Sequence, residues 1–166
     1  MNCTLTWDAN GDNGIVSGNS KTISQTIPYD TVLGGVSEVV SRAVNYIDIT
    51  PQFPGHVFLG WFTHPEQGVQ VNEYTNFQPL EKKDIQGRTY YSQTYYAHWS
   101  INQYKATFLY NDGTEKKMVK VQDFGTALVP PELSRAGYTF NGWSPVVPST
   151  MPARDTTYTA QWLAND

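Results

Sequence analysis

The chain has 166 residues with 11 basic and 15 acidic side chains, a net charge of −4. Its largest basic cluster is Lys116-Lys117 with Lys120 nearby, which removes electrostatic support for nucleic-acid binding. The lone Cys3 excludes an internal disulfide and a thiolate metal site, and no apolar run approaches the ~18 residues of a membrane helix, so this fragment is expected not to insert in a membrane.

Aromatic residues make up 14% of the chain, mostly Tyr and Trp, a composition that suits pleated surfaces. Thr4–Trp7 reads as an opening strand, Asp8–Gly14 as a turn-rich stretch and Thr22–Ile27 as the returning strand. A helix is expected next. Val36, Val39, Val40, Ala43, Val44 and Ile47 form an apolar stripe, Ser37 can cap it and Pro51 limits its length. Val57–Trp61 is the next strand, residues 63–88 a polar connector, and Tyr90–Trp99 a further strand.

A second series then begins. Tyr104–Tyr110 and Lys117–Asp123 read as a hairpin around Asn111-Asp112-Gly113, whose residue types tolerate positive φ. Phe124-Gly125-Thr126 turns the chain. Pro130-Pro131 bars a long helix from the following connector, although a short one could start at Pro131. Tyr138–Phe140 and Thr156–Trp162 are the last strands, with Tyr158, Ala160 and Trp162 on one face.

The two series are one pattern written twice. Gly-His-Val-Phe-Leu-Gly-Trp (55–61) matches Gly-Tyr-Thr-Phe-Asn-Gly-Trp (137–143), and Tyr-Tyr-Ala-His-Trp ending at Trp99 matches Tyr-Thr-Ala-Gln-Trp ending at Trp162. The offset between partners is 101 at Trp7/Phe108, 95 at Thr31/Thr126, 82 at Gly55/Gly137 and 63 at Trp99/Trp162. The first copy, residues 1–100, therefore carries insertions of 6, 13 and 19 residues relative to the second, 101–166. Strict alternation would turn Trp143 away from the face of Tyr138 and Phe140. A bulge at Gly142, and likewise at Gly60 before Trp61, would turn the Trp back to the core.

These residues carry a resemblance. Ala-Thr-Phe, Asn-Asp-Gly, Phe-Gly-Thr-Ala-Leu, Gly-Tyr-Thr-Phe-Asn-Gly-Trp, Met-Pro-Ala-Arg-Asp and Tyr-Thr-Ala-Gln-Trp together resemble the Listeria–Bacteroides repeat, or internalin B-repeat, over essentially all of 104–162. The likeness is weaker over 3–99, where the helical segment and the 63–88 connector depart from it. The resemblance implies β-grasp (ubiquitin-like) modules; with the apolar stripe of the first copy, the expected fold is α+β, mostly β, two such modules in tandem, the first enlarged with one clear helix. It also implies an exported, extracellular segment of a longer bacterial cell-surface protein, acting as an adhesive or protein-interaction module or as a stalk spacer. The partner would be a host or bacterial surface protein or a glycan. The start at Met1-Asn2-Cys3, without a leader, then reads as trimming, and Cys3 as a free thiol. The family brings no catalytic residues; its signature positions are structural: Gly55, Phe58, Gly60, Trp61, Trp99, Gly137, Tyr138, Phe140, Gly142, Trp143 and Trp162.

No chemistry-bearing motif competes with that reading. Asp8–Gly14 has alternating oxygen ligands, but a calcium loop needs Gly and Glu where Asn13 and Asn19 stand, so a hairpin turn is expected. His56, His64 and His98 lack metal-ligand spacing, Glu66 and Glu73 lie in a polar connector, and no nucleophile motif occurs; no enzyme, cofactor or metal is expected. The remaining functional candidates are Tyr91, Tyr96 and His98, which could form part of a sugar-stacking platform in a carbohydrate-binding module. Simple cross-strand pairing explains the same aromatics.

Overall fold

The computed structural model describes residues 1–35 and 45–166, in two compact units, Met1–Ser100 and Ile101–Asp166. In the second unit, β9 (Gln103–Leu109) and β10 (Lys117–Asp123) form the hairpin expected around Asn111. β11 (Tyr138–Ser144) and β12 (Thr156–Ala164) complete a sheet of order β10-β9-β12-β11, with β9 and β12 parallel at its centre. Alternation along β9 and β12 sends Ala106, Phe108, Tyr158 and Ala160 to one buried face.

The first unit uses the same centre. β1 (Asn2–Asp8) pairs with β2 (Thr22–Pro28) in a hairpin and runs parallel to β8 (Arg88–Ile101), with Trp7 opposite Tyr95. β4 (His56–Phe62) lies beyond β8 and β5 (Gln70–Val71) at the edge, while β7 (Glu81–Ile85) folds back on the start of β8. Cys3, Leu5 and Trp7 alternate inward from β1 to meet Ile27, Trp61, Tyr95 and Ala97.

The expected α+β, β-grasp architecture is not what forms. Among the described residues there is no helix, and in both units these residues form only strands, turns and loops. The expected helical stripe falls mainly on residues 36–44, outside the described residues. Its last member, Ile47, sits in a turn, where its amide donates to Leu33 O.

In the second unit, described throughout, the connector that would carry a helix is extended. Pro130 and Pro131 have no amide to continue one, and the strands leave little length for it. Two connectors pair with each other instead. Gly125 N donates to Met151 O, Met151 N to Thr126 O, and Leu128 N to Ser149 O, which lays Leu128 and Met151 on the core. The first unit makes the same ribbon from β3 (Thr31–Val32) and β6 (Asn76–Phe77), laying Leu33 and Phe77 on its core. Leu33 matches Leu128 at offset 95, and Phe77 matches Met151 at offset 74. The 19-residue insertion thus splits into a part holding β5 and a part holding the β7 arm.

The bulge is present. Phe140 pairs with Trp162 but Trp143 pairs with Ala160, so β11 spends one extra residue there, and Gly142 has φ +87°. Trp143 is thereby turned to pack edge-on against Phe108, with ring centroids 5.2 Å apart. Gly60 has φ +131°, and Trp61 reaches Trp7 at 4.9 Å.

Candidate functional site

The signature residues build one frame twice. Phe58 meets Trp61 at 5.3 Å and Trp99 at 5.6 Å; Phe140 meets Trp143 and Trp162 each at 5.5 Å. Trp7 packs on Tyr95 at 5.4 Å, as Phe108 does on Tyr158 at 5.3 Å. Burial of Tyr95 pushes its phenol up to about 12, because the phenolate would lose its hydration. Gly55 and Gly137 take φ +75° and +80° before their strands, and Tyr138 receives the Arg135 guanidinium over its ring at 3.8 Å.

A polar clasp accompanies the aromatics. The Trp99 indole donates to Ala9 O at 2.7 Å, and the Trp162 indole to Tyr110 O at 2.9 Å. The residue after each acceptor is an asparagine in the left-handed region, Asn10 at φ 50° and Asn111 at φ 49°. Each Nδ2 donates to an alanine carbonyl on the neighbouring parallel strand at 2.9 Å, Asn10 to Ala97 and Asn111 to Ala160. The side chain that tolerates positive φ is the one that ties the strand ends together. The sequence offered a signal for it, Asn followed by Gly or Asp-Gly in both copies, but that signal reads simply as a turn.

The candidate platform residues lie apart in role. Tyr91 is partly buried and packs against the core. His98 stacks on Phe62 at 3.8 Å, and its Nε2 donates to His64 O at 2.8 Å. Tyr96 lines a cleft of about 390 Å³ with Thr63, His64, Leu80, Glu81 and Thr94. Asp8 and Asp112 hold turns: Asp8 Oδ1 accepts from Asn10 N, and the Thr114 hydroxyl and amide hold the exposed Asp112 carboxyl below the usual carboxylate range. Among the described residues no group of His, Cys, Asp and Glu is assembled to hold a metal ion. Cys3 is buried, and burial raises its thiol.

A further concavity lies around a residue the sequence did not single out, Phe53. Two depressions, of about 400 and 480 Å³, share Phe53, His56 and Trp99 in their lining. Phe53 stacks on His56 with centroids 3.8 Å apart and planes 2° apart, and meets Trp99 edge-on at 5.4 Å. Gly11 sits against the Phe53 ring so closely that a Cβ there would lie 2.8 Å from Cε1. Phe53 stands in a Pro-Gln-Phe-Pro loop without periodicity, so only proximity in the fold reveals it.

The frame and its clasp define a small all-β repeat module, used here in tandem. Residues 104–161 match the Listeria-Bacteroides repeat domain. Over 145 residues, 82% of this chain, the sequence is 30% identical to Internalin H of Listeria monocytogenes, and it spans 23% of that protein. It is also 29% identical over 98 residues, 57% of this chain, to a protein of Evansella cellulosilytica that carries the description Gly-rich membrane protein, spanning 10% of its length. The chain thus covers less than a quarter of either relative. No helix among the described residues is long and apolar enough to cross a membrane.

Proposed function

We propose that the chain is a non-catalytic tandem-module segment of an exported bacterial surface protein, which extends a stalk and presents an adhesive face. The observation that carries this reading is the doubled frame. Its largest aromatic side chains and its two clasps are spent on holding sheets together, and the positions shared by both units are structural. Similarity to segments of an internalin and of a membrane protein supports the surface setting. Antibodies against residues 1–166 should label intact, unpermeabilised cells, and deleting the segment in frame should lower attachment to a host or bacterial surface. Labelling only after permeabilisation would refute surface presentation; unchanged attachment would leave the spacer role and refute the adhesive one.

The rival reading, a carbohydrate platform on Tyr91, Tyr96 and His98, has little support in the geometry. Tyr91 packs against the core, Tyr96 lines the cleft beside Leu80, and His98 lines a different depression beside Phe53, so the three residues form no common face.

A further inference from the structure

We infer that the enlarged first unit holds a binding groove for a neutral oligosaccharide, centred on Phe53, His56 and Trp99. This goes beyond surface presentation and can be tested on the purified chain, wherever that chain is displayed.

The groove arises from the differences between the two units. Trp99 belongs to the shared frame, as Trp162 does in the second unit, but part of the lining around it comes from insertions. Ile15 lies in the expanded first hairpin, and Gln52 in the insertion that precedes Gly55. The two are joined by reciprocal backbone bonds of 2.8 Å, so two separate insertions brace one another. Pro51 and Pro54 restrict the backbone on either side of the Gln52-Phe53 pair. With Gly11 pressed on its ring and His56 stacked on it, Phe53 is held before any ligand arrives, which lowers the ordering cost of binding.

The lining selects the ligand class. Each depression is within the usual size of a small-molecule site. Rings of Phe53, His56 and Trp99 line both depressions, with Phe58 in the first, and aromatic surface suits the apolar C–H face of a pyranose. The rim carries carboxamides, Asn13 and Gln52 on one side and Gln67 on the other, with the carboxylate of Glu66 beside Gln67. Carboxamides both donate and accept, as sugar hydroxyls do. Among the described residues no Lys or Arg lines either depression, so they offer sulfated, phosphorylated or acidic glycans no counter-charge, while Glu66 repels them. Two adjoining depressions over one aromatic centre fit two or three consecutive sugar rings better than a single ring.

The test is a titration of the full 166-residue chain, isotopically labelled, with cellotriose, maltotriose, mannotriose and triacetylchitotriose, with sialyllactose and a proline-rich decapeptide as competing classes. At least one neutral trisaccharide should bind in the millimolar range or tighter, moving the ring signals of Phe53, His56 and Trp99. Phe53→Ala should weaken it about tenfold or more. Gln52→Ala and Asn13→Ala, rim changes that leave the packed rings alone, should each weaken it severalfold, and Tyr90→Ala should have no effect. The rim variants decide the matter if Phe53→Ala fails to fold. The proposal is overturned if no neutral trisaccharide binds at about 10 mM, if binding ignores both rim variants, or if only the peptide or the acidic sugar binds. Cell-surface labelling is unaffected by any of these results, so failure here is separable from failure of the surface reading.

Discussion

Gly142 and Gly60 stand at the same place in the two units and carry different burdens. Around Gly142 an added Cβ meets nothing within 4 Å, so Gly142→Ala costs only the strain of φ +87°, about 1–2 kcal/mol. At Gly60 an added Cβ would lie 2.4 Å from Gln70 Nε2, and φ +131° is further from any region an L side chain favours. Gly60→Ala should therefore cost more in denaturant unfolding, and Gln70→Ala should recover only the contact part. Tyr95 makes a pH prediction. Its folded pKa is raised to about 12 from an ordinary value of about 10, so the neutral phenol stabilises the fold fully below pH ~10. That contribution falls as pH rises from about 10 to about 12, where the unfolded chain ionises first, by on the order of 1.4 kcal/mol per pH unit. Tyr95→Phe should flatten this alkaline loss in chemical denaturation curves.

At the level of elements, each sheet is covered by a ribbon of two paired connectors. Met151 and Phe77 are the plugs that the ribbons press onto the cores, both essentially fully buried. Met151→Ala should cost about 2–5 kcal/mol in equilibrium unfolding and Trp143→Ala about 3–5 kcal/mol, a large part of the stability of so small a unit. The hairpins, the parallel-strand phrases and the Gly142 bulge could be read from residue order, because alternation and turn chemistry are local. The ribbon could not. Phe124–Val129 and Val147–Met151 lie far apart in sequence and lack strand periodicity; only their joint cover of Phe108 and Tyr158 makes them an element. Met151 stood out as part of a family phrase, without any sign that it fills the core.

For the whole molecule, the repeat was the most legible feature and the groove the least. Repeated Gly-Trp and Ala-x-Trp phrases announce a duplicated frame because both copies need the same core contacts. Phe53 announces nothing, since it belongs to one copy and gains its meaning from Gly11, His56 and Trp99 in space. Shared residues hold the units together, and residues present in one unit alone are free to diversify. The central claim is that each unit is closed by the same asparagine–tryptophan clasp. Native-state hydrogen exchange on the full chain tests it most directly, comparing Asn10→Ala with Asn111→Ala. Asn111→Ala loses one hydrogen bond and Asn10→Ala two, since Asn10 Nδ2 also donates to Pro65 O, each worth about 1 kcal/mol, and both place alanine at a positive φ costing about 1–2 kcal/mol. Protection of the parallel strand pair should fall by about 2–3 kcal/mol in the unit that carries the Asn111 change and by at least as much in the unit that carries the Asn10 change. Unchanged protection in either variant, or a loss in one unit with none in the other, would contradict a shared clasp.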